Sequence, residues 1–134
     1  MRRAICLSMF ALAALTATAL AAEKAAFIQG TFSAGDGCEK LKALDKGAKR
    51  TAESVPEVLT ADGFKGFSGH CDFTKVYEHE AGKSWIGQLF CRDGDTISPL
   101  VTAFALGKDG AIIVGGGGEE GPEVFRRCSE GEKK

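Results

Sequence analysis

The stretch Gly66-Phe67-Ser68-Gly69-His70-Cys71-Asp72-Phe73 brings a serine, a histidine, a cysteine and an aspartate within five positions. These are the residue types of nucleophilic hydrolysis: a hydroxyl or thiol to attack, an imidazole to take its proton, and a carboxylate to orient the imidazole. Such a constellation works when its heavy atoms approach to about 2.6–3.2 Å. On a β-strand, side chains alternate, so Ser68, His70, Asp72 and Thr74 share one face while Phe67, Gly69, Cys71 and Phe73 share the other. Neighbours on one face lie about 6.6 Å apart along the strand. Leaning side chains close one such gap more readily than two. The G-x-S-x-G nucleophile elbow is also broken, because His70 stands where its last glycine belongs. The segment is therefore read as a strand with a solvated polar face, and the hydrolase built on Ser68, His70 and Asp72 is the alternative.

Other residues with chemical potential reduce to structure. The glycines Gly115 to Gly118 lack the G-K-[ST] that completes a phosphate loop. His70 and His79 are the only histidines and belong to neither a C-x-x-C-H haem site nor an H-E-x-x-H zinc helix. Asp93 and Asp95 flank a turn glycine without the further oxygen ligands of a calcium loop. No catalytic residue, metal ligand or cofactor is assigned.

The elements that position these residues follow from the cysteines and the turns. Arg2 and Arg3, then the apolar run Ala4 to Leu20 and the small-x-small Ala19-Leu20-Ala21, read as an export leader over residues 1–21. The run is short for a membrane span, which takes about 20 residues, and Glu23 and Lys24 follow at once. Residues 22–134 then form one small exported domain. Losing Arg2 and Arg3 from the 17 basic residues takes the formal charge from −1 to −3. That mild acidity, with scattered lysines, argues against nucleic acid as a partner.

Cys6 leaves with the leader, and Cys38, Cys71, Cys91 and Cys128 remain. Four cysteines in an oxidising compartment predict two disulfides, whereas their spacings of 33, 20 and 37 hold no C-x-x-C pair for zinc. Glu80-Ala81-Gly82 suits a three-residue hairpin loop with glycine in the left-handed position. Centring the hairpin on Ala81 makes paired positions sum to 162 and sets Phe73 opposite Leu89, Tyr77 opposite Trp85 and Cys71 opposite Cys91. Cys71–Cys91 is thus predicted, and Cys38–Cys128 with it. Lys75 falls on the core face in this register. Either it lies at the rim or a bulge shifts the pairing.

Around this hairpin the expected fold is α+β: an antiparallel β-meander of five to six strands with one or two short N-terminal helices and two disulfides. Ala26 to Phe32 reads as a first strand. Cys38, Leu41, Leu44 and Ala48 recur at helical spacing. Ser54-Val55-Pro56-Glu57 has the capping-box form, predicting a second helix or turn from Val55 to Asp62, although Val55, Val58 and Leu59 equally suit a strand. Asp93-Gly94 and Asp109-Gly110 mark hairpins joining strands near Ser84 to Arg92, Thr96 to Leu106 and Ala111 to Val114. Pro99 marks an edge or a bulge. A loop from Gly115 to Pro122 precedes a last strand, Pro122 to Cys128.

Cys38-x-x-Leu41, Val58-Leu59-Thr60-Ala61-Asp62-Gly63-Phe64, Gly69-His70-Cys71-Asp72-Phe73, Trp85 before Cys91, and Phe125-Arg126-Arg127-Cys128 resemble a group of small exported two-disulfide proteins of Gram-negative bacteria. The resemblance implies a fold and imports no activity. The function expected is a non-catalytic periplasmic or secreted binding module, its partner a protein or envelope component.

Overall fold

Ten cross-strand pairs, from Gly69↔Asp93 to Glu80↔Ser84, make one long hairpin the spine of the protein. The computed structural model describes residues 22–115 and 121–129; the expected leader, residues 116–120 of the glycine-rich loop and the last five residues lie outside that range. In chain order the strands are β1 (Phe32–Ala34), β2 (Val58–Thr60), β3 (Gly63–Lys65), β4 (Gly69–Glu80), β5 (Ser84–Asp93), β6 (Thr96–Leu106), β7 (Ile112–Gly115) and β8 (Glu123–Arg127). One α-helix, α1 (Gly37–Asp45), lies between β1 and β2, and a 3₁₀ turn, Lys108–Gly110, joins β6 to β7. Every strand pairs antiparallel with its sequence neighbour, and β8 returns to β1 through Phe32↔Arg127 and Ala34↔Phe125.

The fold is thus a closed eight-stranded antiparallel barrel, which corrects the expected open meander of five to six strands. The miscount has a local cause. β1, β2 and β3 have three residues each, too few for alternation to register. Ala26 to Phe32 is not a strand, since β1 begins only at Phe32. No second helix covers Val55 to Asp62, where β2 and β3 form a tight hairpin closed by Thr60↔Gly63. Its buried Leu59 pairs with Phe32 on one side and Phe64 on the other. At Gly63, φ is 139° and a Cβ would lie 1.8 Å from the Cys71 carbonyl oxygen. Bare backbone is what lets β3 approach β4.

The two disulfides are Cys71–Cys91 and Cys38–Cys128, the pairing that the hairpin register expects. Cys71 faces Cys91 and Phe73 faces Leu89, with the two cysteine Cα atoms 3.8 Å apart. Beyond Phe73 the pairing slips, so that Lys75 meets Gln88, Tyr77 meets Ile86 and Glu78 meets Trp85. The expected Tyr77–Trp85 pair is therefore replaced. The extra residue is Thr74, whose hydroxyl donates to the Gln88 carbonyl at 3.1 Å. One inserted residue exchanges the faces that follow, until a second shift passes over His79 and the hairpin closes at Glu80↔Ser84 over Ala81-Gly82-Lys83, one residue later than the expected centre on Ala81. Lys75 and Tyr77 consequently turn outward while Val76 turns in to pack on the core.

Eight strands enclose a space just wide enough for side chains to fill. Phe73, Phe104 and Phe125 are essentially inaccessible to solvent, with Leu59, Leu89 and Ile112 between them. Phe104 meets Phe73 at 5.5 Å and Phe64 at 6.1 Å between ring centroids, within the range of favourable aromatic contacts. The segment ahead of β1 stoppers one end. Ala25 and Ile28 are buried there, the Ala25 amide donates to the Ala61 carbonyl at 2.8 Å, and Phe27 stacks flat on Trp85 at 4.0 Å. Ion pairs Lys24–Asp62 and Glu23–Lys75 hold its outer side.

Among the described residues no helix is long and apolar enough to cross a membrane. Strands of three to five residues at β1, β2, β3, β7 and β8 also fall short of the about 9–11 that a transmembrane strand takes. The apolar interior is the reverse of the polar lumen of an outer-membrane barrel.

Candidate functional site

At the end of the barrel opposite the N-terminal stopper, β4 is only starting and β5 and β6 turn over at Gly94-Asp95. Three segments meet around an open groove of about 380 Å³: the β3–β4 loop, the β5–β6 hairpin and the turn before β2. The loop is short and closed on itself, the Gly66 amide donating to the Gly69 carbonyl at 2.9 Å. Ser68 sits in this loop and His70 in β4, and both line the groove. Phe64, Ser98 and the Cys71–Cys91 bond form its wall.

The structure brings together only part of the Ser68, His70, Asp72 set. His70 Nε2 lies 3.4 Å from Asp72 Oδ2, both side chains largely in solvent. This is the one gap that leaning side chains close. Ser68 precedes the first strand residue, Gly69, and is exposed. The alternation reasoning placed Phe67 on the core face, and the structure corrects it: Phe67 also lies ahead of β4 and is 54% exposed. Among the described residues no three His, Cys, Asp or Glu side chains gather as a metal would need.

Glu57, on the groove's rim, has its carboxyl raised above the usual range by burial, with the Glu123 carboxylate adding repulsion. Its backbone is fixed beneath the start of α1, where the buried Ser33 hydroxyl donates to the Glu57 carbonyl at 2.6 Å. The arrangement fixes a groove wall and does not assemble an acid, a base and a nucleophile.

A second feature lies on the outside of β4, β5 and β6. Cross-strand partners share a face, so the outward rows read Tyr77–Ile86–Ala103, Lys75–Gln88–Val101, Asp72–Phe90–Pro99 and His70–Arg92–Ile97. Tyr77, Ile86, Phe90, Ile97 and Val101 are 39–64% exposed. They run obliquely across three strands as one apolar band edged by Lys75, Asp72, His70 and Arg92. Toward β7 the band continues into an apolar trough of about 280 Å³, floored by Ala103, Ala105 and Gly115 and walled by Ile86, Ile113 and His79.

Sequence reasoning passed over this band. Its signal was present: Trp85-Ile86, Leu89-Phe90 and Leu100-Val101 are adjacent apolar pairs, so β5 and β6 carry apolar residues on both faces. In a sheet with one solvated face, clean alternation is expected instead. Compared with protein-family models, curated proteins and solved structures, the chain matches none of them.

Proposed function

We propose that the protein is a non-catalytic binding module, exported to the periplasm or beyond the cell, that recognises a partner protein through the outer face of β4, β5 and β6. The observation carrying this reading is the exposed band Tyr77–Ile86–Phe90–Ile97–Val101. An apolar patch contiguous over three strands and rimmed by charges marks interaction surfaces on soluble proteins. The interior favours the same reading. Phe64, Phe73, Phe104 and Phe125 occupy the space where a ligand-carrying barrel would keep a cavity. Two disulfides suit an oxidising compartment, and the residues behind the resemblance to exported two-disulfide proteins serve the fold: the cysteines, Gly63, Phe64, Phe73, Trp85 and Phe125.

The test compares three baits in a periplasmic extract: the wild type, a Phe90→Lys/Ile97→Lys double variant, and a Ser68→Ala/His70→Ala/Asp72→Ala triple variant. A specific partner retained by the wild type and the triple variant, and lost from the double variant, is the expected result. Retention by the double variant would overturn the outer-face assignment. A hydrolytic activity present in the wild type and absent from the triple variant would instead establish the enzyme alternative.

A further inference from the structure

The Cys71–Cys91 bond differs from its counterpart in where it sits. Cys38–Cys128 joins the first turn of α1 to the residue after β8, across a sequence separation of 90. Cys71–Cys91 instead spans two neighbouring strands and forms part of the wall of the groove at the open end of the barrel, with Phe64, Ser98, Ser68 and Arg92 around it. Both of its cysteines are half-buried, as are Cys38 and Cys128, so solvent reaches both bonds and the groove is what sets Cys71–Cys91 apart. We propose that Cys71–Cys91 is a thiol-exchange site, opened by the thiolate of a dithiol reductant that enters this groove, and that the barrel stays folded in both states.

Two features of the structure support this. Thiol–disulfide exchange requires access along the line of the sulfurs, and the groove supplies an approach from solvent. The reduced state also keeps its scaffold. Pairs on both sides of the cysteines, His70↔Arg92 and Asp72↔Phe90, belong to the continuous β4–β5 ladder, and Phe73↔Leu89 is locked into the core. In the chain-entropy model, the factor by which a disulfide raises the folding equilibrium constant scales as the three-halves power of loop length. Separations of 20 and 90 therefore make loss of Cys71–Cys91 about tenfold less damaging to the folding equilibrium.

The exchange balances as follows. The thiolate attacks one of the two sulfurs; its new S–S bond forms as the Cys71–Cys91 bond breaks, and the electron pair leaves on the other cysteine, which takes a proton from water. The second thiolate of the reductant attacks its own sulfur in the mixed disulfide and displaces the remaining cysteine, which is protonated in turn. The protein gains two electrons and two protons, and the dithiol becomes a disulfide.

The experiment exposes the oxidised, folded protein to graded dithiothreitol, traps thiols with N-ethylmaleimide, and assigns them by peptide mass while circular dichroism follows the sheet. No thiol should be trapped at the outset. Cys71 and Cys91 should then be trapped at least tenfold faster than Cys38 and Cys128, with the spectrum unchanged. Ser98→Trp, which fills the groove opposite Cys91, should slow that step and leave Cys38–Cys128 untouched. Simultaneous release of both bonds, release of Cys38–Cys128 first, or loss of the sheet as Cys71 and Cys91 are trapped would overturn the proposal. The wild-type order decides it even where Ser98→Trp fails to fold.

Discussion

Replacing Gly87 by alanine tests the packed barrel with one methyl group. Gly87 lies in β5 between Val76 on β4 and Thr102 on β6 and faces inward. A Cβ at this position would stand 2.7 Å from Phe73 Cε1 and 2.8 Å from Phe104 Cε2, closer than real Cβ contacts allow. Both rings are buried to within 1% of complete and touch each other at 5.5 Å between centroids, so neither can swing into solvent. Overpacking of this kind costs about 1–3 kcal/mol. Alanine's better backbone propensity returns at most about 1 kcal/mol, leaving a net loss of about 1–2 kcal/mol. For a domain of this size that lowers the melting temperature by about 4–8 °C.

Urea and thermal unfolding of the wild type and Gly87→Ala, monitored at Trp85, measure it. Pairing Gly87→Ala with Phe73→Leu supplies a double-mutant cycle. The smaller side chain should absorb the methyl, so the double variant loses less than the sum of the two single changes. A Gly87→Ala protein as stable as the wild type, or strictly additive losses, would refute the claim that Phe73 and Phe104 fill the barrel across Gly87.

Phe27→Ala removes the ring stacked on Trp85 and should cost about 2–3 kcal/mol, less than the 3–5 kcal/mol of a fully buried phenylalanine because Phe27 is only half-buried. Trp85 fluorescence should shift to longer wavelength in the folded variant, and an unmoved spectrum would deny the stopper its place. Glu57, with its folded pKa raised above the ordinary 4.5, binds more protons folded than unfolded just above that value. Its contribution is therefore present at low pH and declines as pH rises through the folded pKa. Urea midpoints measured against pH should show that decline in the wild type and its loss in Glu57→Gln; identical profiles would remove the effect. The Ser68→Ala/His70→Ala/Asp72→Ala protein should unfold within about 0.5 kcal/mol per substitution of the wild type, and a larger loss would mean that the His70–Asp72 contact braces β4.

Features encoded by neighbouring residues were legible in the chain. Asp93-Gly94 turned the chain where expected, with Gly94 at positive φ, whereas the first hairpin closes over Ala81-Gly82-Lys83, one residue later than expected, and the two register shifts at His79 and Thr74 are what bring Cys71 opposite Cys91. The helical spacing from Cys38 yielded α1. Lys75, an ammonium that the simple register would have sent into the core, correctly signalled the trouble at Thr74. Its resolution as a bulge depended on the competition between solvating that charge and keeping one ladder bond, which no local pattern weighs.

Barrel closure was beyond any window of sequence. Phe32↔Arg127 joins residues at opposite ends of the domain, and strands as short as Val58–Thr60 persist only because Leu59 is gripped between Phe32 and Phe64. The same holds for the apolar band. Tyr77, Ile86, Phe90, Ile97 and Val101 are ordinary strand residues until the register of three strands aligns them on one side. Turn chemistry is decided within a few residues, and the oxidation of four cysteines to two disulfides by compartment, and so both are written in the chain. Closure, face and patch are decided by which distant backbones hydrogen-bond to each other, and exist only once the barrel has formed.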